Sequence, residues 1–314
     1  MKNFLKDYFF ELQKKYELSK MWNIAKTLSP YLLQDETTND ECFFEKKVII
    51  EKNYNKFLNY YSSSGIKYAL KQYGIYQKIL NKGYDDIIVC ITGLDFYSQR
   101  LHLYGIKEKE KYLVGEIIVK DIHYHYPYWK PFEKINNNNN FNMVRIEWFL
   151  LQNPLEEFSK DRPRLIAQEY PGLGIGYEIM ELLIIMAKRL KKDGYINTPM
   201  YFNNAYMYSK RFLFVDPEKQ GEFMKIKDSI GNRTLQEVSL AVHAGFLYDK
   251  NKKEIYKWTP SDVFVPLGRN LIRWLKKGNY YKIMLESYKK NDFYFDWKNF
   301  DDKKQELISK ISEF

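Results

Sequence analysis

Three glycines at alternate positions, Gly172, Gly174 and Gly176, open directly into an apolar run in the stretch YPGLGIGYEIMELLIIMAKRL (Tyr170–Leu190). Glycine lets backbone N–H groups turn toward a bound group with no Cβ in the way. The first turn of a helix adds N–H groups without intrahelical acceptors and the positive end of the dipole. Together they make an anion site, most often for phosphate. The competing reading is a turn kept glycine-rich so that strand and helix pack tightly. A dinucleotide fingerprint does not fit, because G-x-G-x-x-G needs glycine where Tyr177 stands.

Other residues with chemical potential are fewer. His123 and His125 form an H-x-H. On a strand, imidazoles at i and i+2 share a side and can share a metal. The surrounding residues are Tyr, Trp and Pro, with no third ligand in the neighbouring sequence, so an aromatic surface loop and no metal is the expectation. Arg162 and Arg164 flank Pro163, either to grip a phosphate or to anchor a loop. His102 and His243 read as isolated histidines. The two cysteines, Cys42 and Cys90, lack CxxC spacing, which argues against a thiol zinc site and against a disulfide scaffold. A reducing, cytoplasmic setting is the resulting expectation.

These residues need elements to hold them. Residues 2–28 carry helical spacing, followed by a polar loop at Gln34–Asp40 and at least one more helix within 53–80. From Asp86 the texture changes to short strands: Ile87–Thr92, Phe96–Tyr104, Tyr112–Lys120 and Val144–Leu151, with the loop tip Asn136–Asn140 before the last. A connection of about twenty residues with Pro154, Pro163 and Pro171 leads to the glycines and hides a short strand at Arg164–Gln168. The helix from Tyr177 is apolar on most sides, has Glu178 and Glu181 near its start and ends in a basic cluster before Gly194. A strand at Tyr195–Tyr201, an Asn-capped helix at Asn203–Leu213 and a strand at Phe214–Val215 follow. Beyond them, Thr234 and Glu237 spell a capping box for a helix to His243, Phe246–Trp258 reads as a hairpin around Lys250–Lys253, and three further helices close the chain.

Composition sets the outer limits. With 314 residues and 45% hydrophobic content the chain can bury a sizeable core. The 28 Tyr and 21 Phe travel with inflated Lys, Asn and Ile, a pattern that an AT-rich genome also produces. The net charge of +10 suits an acidic partner, but the lysines are scattered among acids as on a solvated face. Nucleic acid, a membrane surface and a polyphosphate cofactor all suit such a charge, and on charge alone nucleic acid is a minority reading. No apolar stretch reaches the length of a membrane span, and no secretory signal is evident.

The order of strands, glycine stretch, long helix, strand, Asn-bearing helix and aromatic strand over residues 86–216 resembles the GNAT N-acetyltransferase superfamily. In that family a Q/R-x-x-G-x-G/A turn holds the pyrophosphate of acetyl-CoA on backbone N–H groups. The resemblance implies that role for Gly172, Leu173, Gly174, Ile175 and Gly176. Downstream, Asn203 or Asn204, Tyr208, Lys210 and Phe214 are similar in order and spacing to the family's Asn, Tyr, basic residue and Gly-Phe. This implies cofactor contact for Asn204 and, for Tyr208, the role of acid to the departing thiolate, with Tyr206 its competitor. The sequence departs from the pattern at Pro171 and Glu169, where the family has Gln or Arg, and at Leu213, where it has Gly. The blocks Arg162–Leu165 and Tyr170–Gly176, with Trp258–Pro260, also resemble a bacterial branch of GNAT-like proteins whose substrates are not assigned.

Acyl transfer to an amine needs a base. Strand alternation puts Glu147 on one face with Arg145 and Phe149, where aromatic walls would raise its pKa. A structural pair with Arg145 is the plainer reading, and Glu116 is the reserve candidate. The expected architecture is α+β: a GNAT-like, mostly antiparallel mixed sheet flanked by helices. Residues 1–84 would form a helical N-terminal extension, 85–228 the core and 229–314 an α/β C-terminal extension. The expected function is transfer of an acetyl group from acetyl-CoA to an amine acceptor of unspecified kind. The alternative is a GNAT-like module that binds CoA or an acidic partner without catalysis.

Overall fold

A computed structural model of the chain describes residues 20–35, 56–125, 140–277 and 279–314. The patterned stretch before Lys20, the polar loop beyond Asp35, Cys42, residues 53–55, the aromatic cluster after His125 and residues 136–139 lie outside them. The described residues separate into two compact units.

The first unit takes in the described residues through Tyr124, then Phe141–Glu157 and Tyr170–Tyr195. It opens with helices α1 (Lys20–Thr27), α2 (Pro30–Gln34), α3 (Ser63–Gln72) and α4 (Ile75–Leu80). Ser62 starts α3 by accepting the Gly65 N–H on its hydroxyl. Gly65 is required by contact: a Cβ there would stand 2.2 Å from the Leu33 carbonyl oxygen of α2. Strands β1 (Asp86–Gly93), β2 (Ser98–Lys107) and β3 (Glu110–His125) then run as an antiparallel meander. Glu108 and Lys109, both at positive φ, make the tight turn between β2 and β3, the backbone hand that suits twisted strands. Strand β4 (Asn140–Leu151) lies beside β3. Ile87, Val89, Leu101, Leu103, Val144 and Ile146 are among the buried strand residues.

Helix α5 (Gly176–Arg189) is buried continuously from Ile179 through Ala187, including Glu181. The reading of this helix as covered on most sides therefore holds. Strand β5 (Gly194–Asn197) is shorter than the expected Tyr195–Tyr201, since the chain leaves the extended ladder before Pro199. Cys90 on β1 is disulfide-bonded, which removes the ground for inferring a reducing compartment from cysteine usage.

The second unit takes in His125, Asn140, Phe158–Glu169 and Ile196–Phe314 among the described residues. Its elements are α6 (Phe202–Tyr208), β6 (Leu213–Phe214), α7 (Pro217–Asp228), α8 (Leu235–His243), β7 (Leu247–Asp249), β8 (Glu254–Ile255), β9 (Val263–Pro266), α9 (Arg269–Lys277), α10 (Tyr280–Lys290), β10 (Phe293–Phe295) and α11 (Trp297–Ser309). Strand β6 pairs antiparallel with β9, and β10, β7 and β8 form a small antiparallel sheet. Phe202, Phe214, Phe223 and Trp258 form an aromatic core cluster with ring centroids 5.2–6.4 Å apart. The hairpin around Lys250–Lys253 and the Thr234 capping box are both present. The strand expected at Arg164–Gln168 is instead a loop containing a turn: Ala167 sits at φ 63°, and the Gln168 side-chain oxygen accepts the Leu165 N–H at 3.0 Å. The architecture is mixed α and β, and every strand pair named here as antiparallel follows from its register. No helix among the described residues is long and apolar enough to cross a membrane.

Candidate functional site

The glycine turn belongs to the first unit. Along it burial alternates: Leu173 and Ile175 are buried, whereas Gly174 and Gly176 are exposed. The two apolar side chains are what hold the turn to the core, and they leave the glycine backbone outside. Gly174 has φ +75°, a conformation that costs an L-residue about 1–2 kcal/mol. The other two glycines answer to no crowding. A Cβ on Gly172 would meet the Leu151 carbonyl oxygen at 3.7 Å, and one on Gly176 would meet Leu151 Cδ1 at 3.9 Å, both ordinary contacts. Tight strand–helix packing therefore does not explain glycine at 172 and 176.

Gly176 is also the first residue of α5, and the N-cap position is Ile175, whose side chain offers no capping hydrogen bond. The first N–H groups of a helix have no intrahelical acceptor. The first such bond here runs from Ile179 N–H to Ile175 O, 3.0 Å. In the first helical turn Glu178 is the one acid, and it is ion-paired with Lys78. Upstream, the Asn153 N–H donates to the Pro171 carbonyl at 2.7 Å, which joins the turn to the end of β4. The arrangement is an exposed glycine backbone at the head of a buried helix, chemistry that suits an anion.

Glu147 lies on β4 as the alternation requires, but it is exposed rather than walled by aromatics, and the neighbouring Trp148 is exposed too. Past these two residues the chain is covered again: Phe149–Leu151 are half-buried, and Gln152 and Asn153 beyond the strand are buried. The reserve candidate Glu116 is committed elsewhere: its Oε1 lies 3.2 Å from Arg100 Nε and 3.1 Å from His102 Nε2. His102, the buried cross-strand partner of Glu116, is thus paired with a carboxylate and is not an isolated histidine. His123 and His125 sit on β3, both exposed, and His125 Nδ1 lies 3.4 Å from Asn140 Oδ1.

Tyr208 and Asn204 belong to the second unit. Tyr208 ends α6, and burial pushes its phenol up to about 12 against the opposing effect of a hydrogen bond with Asn197. It therefore keeps its proton at neutral pH. Tyr206 is half-buried with Lys227 Nζ 5.3 Å from its ring centroid. The Asn204 side-chain oxygen accepts from Asn203 Nδ2 at 3.0 Å. Asn203 is almost fully buried, and its own oxygen accepts from Ser239 Oγ at 3.1 Å, so it ties α6 to α8. Neither asparagine is the N-cap. That position is Tyr201, and the Phe202 N–H donates to His243 Nε2 at 3.2 Å. Arg164 donates from Nε to the Gln168 carbonyl at 2.8 Å, while its own carbonyl accepts from Gln236 Nε2 at 2.8 Å, which is loop anchoring.

Sequence reasoning missed Tyr84 and Asn153. The Tyr84 hydroxyl donates to Asn153 Oδ1 at 2.7 Å, both residues buried. Neither stands in a motif, and the Asn-Pro step at 153–154 was the one local signal. Helix α7 was also missed, although Asp216 followed by Pro217 is a cap and first-turn signature that could have found it. No protein-family model matches the sequence, and no curated protein does.

Proposed function

We propose that the chain is an acyl-CoA-dependent N-acyltransferase that moves an acetyl group from acetyl-CoA to an amine. The observation that supports this most is the glycine turn at the uncapped head of α5, where two of the three glycines are not demanded by packing. Backbone N–H groups there suit a pyrophosphate. The amine nitrogen would bond to the thioester carbonyl carbon as the C–S bond breaks. Glu147, directly or through water, would take the amine proton, and the Tyr208 phenol would give one to the departing thiolate. Exposure of Glu147 fits a relay through water better than direct contact.

Calorimetry with acetyl-CoA and desulfo-CoA tests the cofactor. Saturable heat from both is expected, and none at high micromolar ligand would end the reading. Given binding, Tyr208→Phe should lower turnover about 100-fold or more while leaving affinity within a few-fold. Unchanged turnover would clear Tyr208 of the role.

The second reading is a GNAT-like module that binds CoA without catalysis. The exposure of Glu147 favours it, because the carboxylate stands open to water and is not enclosed beside a substrate. Binding of CoA with no transfer to any of a panel of amines would select this alternative.

A further inference from the structure

The neck that joins the end of β4 to the glycine turn is held by a chain of contacts wholly inside the first unit. At Gln152 the strand is still fixed to β3: its N–H donates to the Val114 carbonyl and its side-chain Nε2 to the Leu113 carbonyl, both at 3.0 Å. One residue on, Asn153 is fully buried and donates its N–H to Pro171 at 2.7 Å. Its side-chain oxygen accepts from the Tyr84 hydroxyl at 2.7 Å and from the Leu155 N–H at 3.4 Å. Those two donors fix which way the amide faces. Its Nδ2 has no partner among the described residues, so Oδ1 alone orients the side chain.

Tyr84 is in turn fixed by β2. A Cβ on Gly105 would stand 2.4–2.7 Å from three carbons of the Tyr84 ring. Glycine at 105 is thus a site of close approach, and the tyrosine ring fills the space a side chain would take. The segment around Tyr84 is clamped a second time, by Lys82 to Glu156 at 3.1 Å.

We propose that Tyr84 is a positioning residue for the glycine turn, acting through Asn153: the Gly105 notch seats Tyr84, its hydroxyl orients Asn153, and Asn153 holds Pro171 at the entrance of Gly172–Gly176. The functional importance of this relay rests on the reading of the turn as a CoA site. The physical relay does not. The Tyr84 hydroxyl touches no substrate in this scheme. Its effect is to keep the turn's N–H groups in one geometry before ligand arrives, and such preorganisation appears as affinity.

Tyr84→Phe removes the hydroxyl and keeps the ring that packs on Gly105. Residue-resolved amide exchange on the full chain is the test. The Asn153 amide, which donates to Pro171, should exchange about five- to tenfold faster, the worth of one buried hydrogen bond. The Gln152 amide, which donates to Val114, should be unchanged. Equal acceleration at both positions would mean a general loosening of β4, and no change at Asn153 would mean no relay. Either result overturns the proposal. Gly105→Ala, which displaces the ring from the other side, should accelerate the same amide.

Calorimetry with desulfo-CoA then separates the two layers. Weaker binding by Tyr84→Phe, by a factor similar to the exchange effect, supports the positioning role. Unchanged binding beside an accelerated Asn153 amide overturns it. If wild-type protein binds no CoA while the Asn153 amide responds, the CoA reading fails and the relay to the turn stands.

Discussion

Gly174 and its two neighbours separate backbone strain from ligand chemistry at single-residue resolution. Gly174→Ala forces an L-residue to φ +75° and should cost about 1–2 kcal/mol in urea unfolding. Gly172→Ala and Gly176→Ala meet only ordinary contacts and should stay within about 0.5 kcal/mol of wild type. Equal losses at all three positions would mean that packing does set the glycines. His243 offers a pH test. Burial lowers its pKa below the ordinary 6.5, and its Nε2 must be unprotonated to accept the Phe202 N–H. The folded state thus binds its proton less readily than the unfolded chain. The stability from this group is fully present above pH 6.5 and is lost as pH falls through the depressed folded value. Imidazole resonances of folded protein should accordingly show His243 neutral at a pH where a free histidine is half charged. Titration at 6.5 or above would contradict the buried contact.

At the scale of elements, the start of α8 carries the clearest electrostatics. Thr234 accepts the Glu237 N–H, and the Glu237 carboxylate accepts from both the Thr234 N–H and its hydroxyl. Burial alone would raise the Glu237 pKa, but the Lys304 ammonium at 2.8 Å and the two Thr234 donors outweigh it and bring it to about 2. Its folded pKa lies below its unfolded one, so its contribution is present above about pH 4.5 and disappears as pH falls toward 2. Thr234→Ala should cost about 1 kcal/mol at neutral pH by thermal or urea unfolding. Part of that difference should vanish in acid, and a cost that is flat from pH 7 to pH 2 would show that Glu237 is not coupled to the cap. Such a cap is readable in sequence because donor and acceptor lie three residues apart. The cap of α6 is not, because His243 reaches Phe202 from 41 positions away.

For the whole molecule, the net charge of +10 invites a nucleic-acid reading, but many of the described lysines are already matched. Lys67, Lys82, Lys192, Lys219 and Lys304 each lie within 3.2 Å of a carboxylate oxygen of Asp86, Glu156, Asp121, Glu222 and Glu237, respectively. We expect no retardation of mixed-sequence DNA or RNA in a gel shift even at low salt, and a salt-sensitive shift would reopen that class of partner. The sequence by itself determined most strands of the first unit, the apolar helix behind the glycines, the Thr234 cap and the Lys250–Lys253 hairpin. All of these follow from periodicity or from partners a few residues apart. Tertiary structure alone decided that Glu147 faces solvent, that Glu116 is held by Arg100 and His102, and that Tyr84 reaches Asn153. Each of these depends on where a distant segment ends up, and local spacing carries no record of that. The glycine turn lies between the two: its residue types suggest a backbone site, and only the tertiary structure shows that crowding does not demand glycine at 172 and 176.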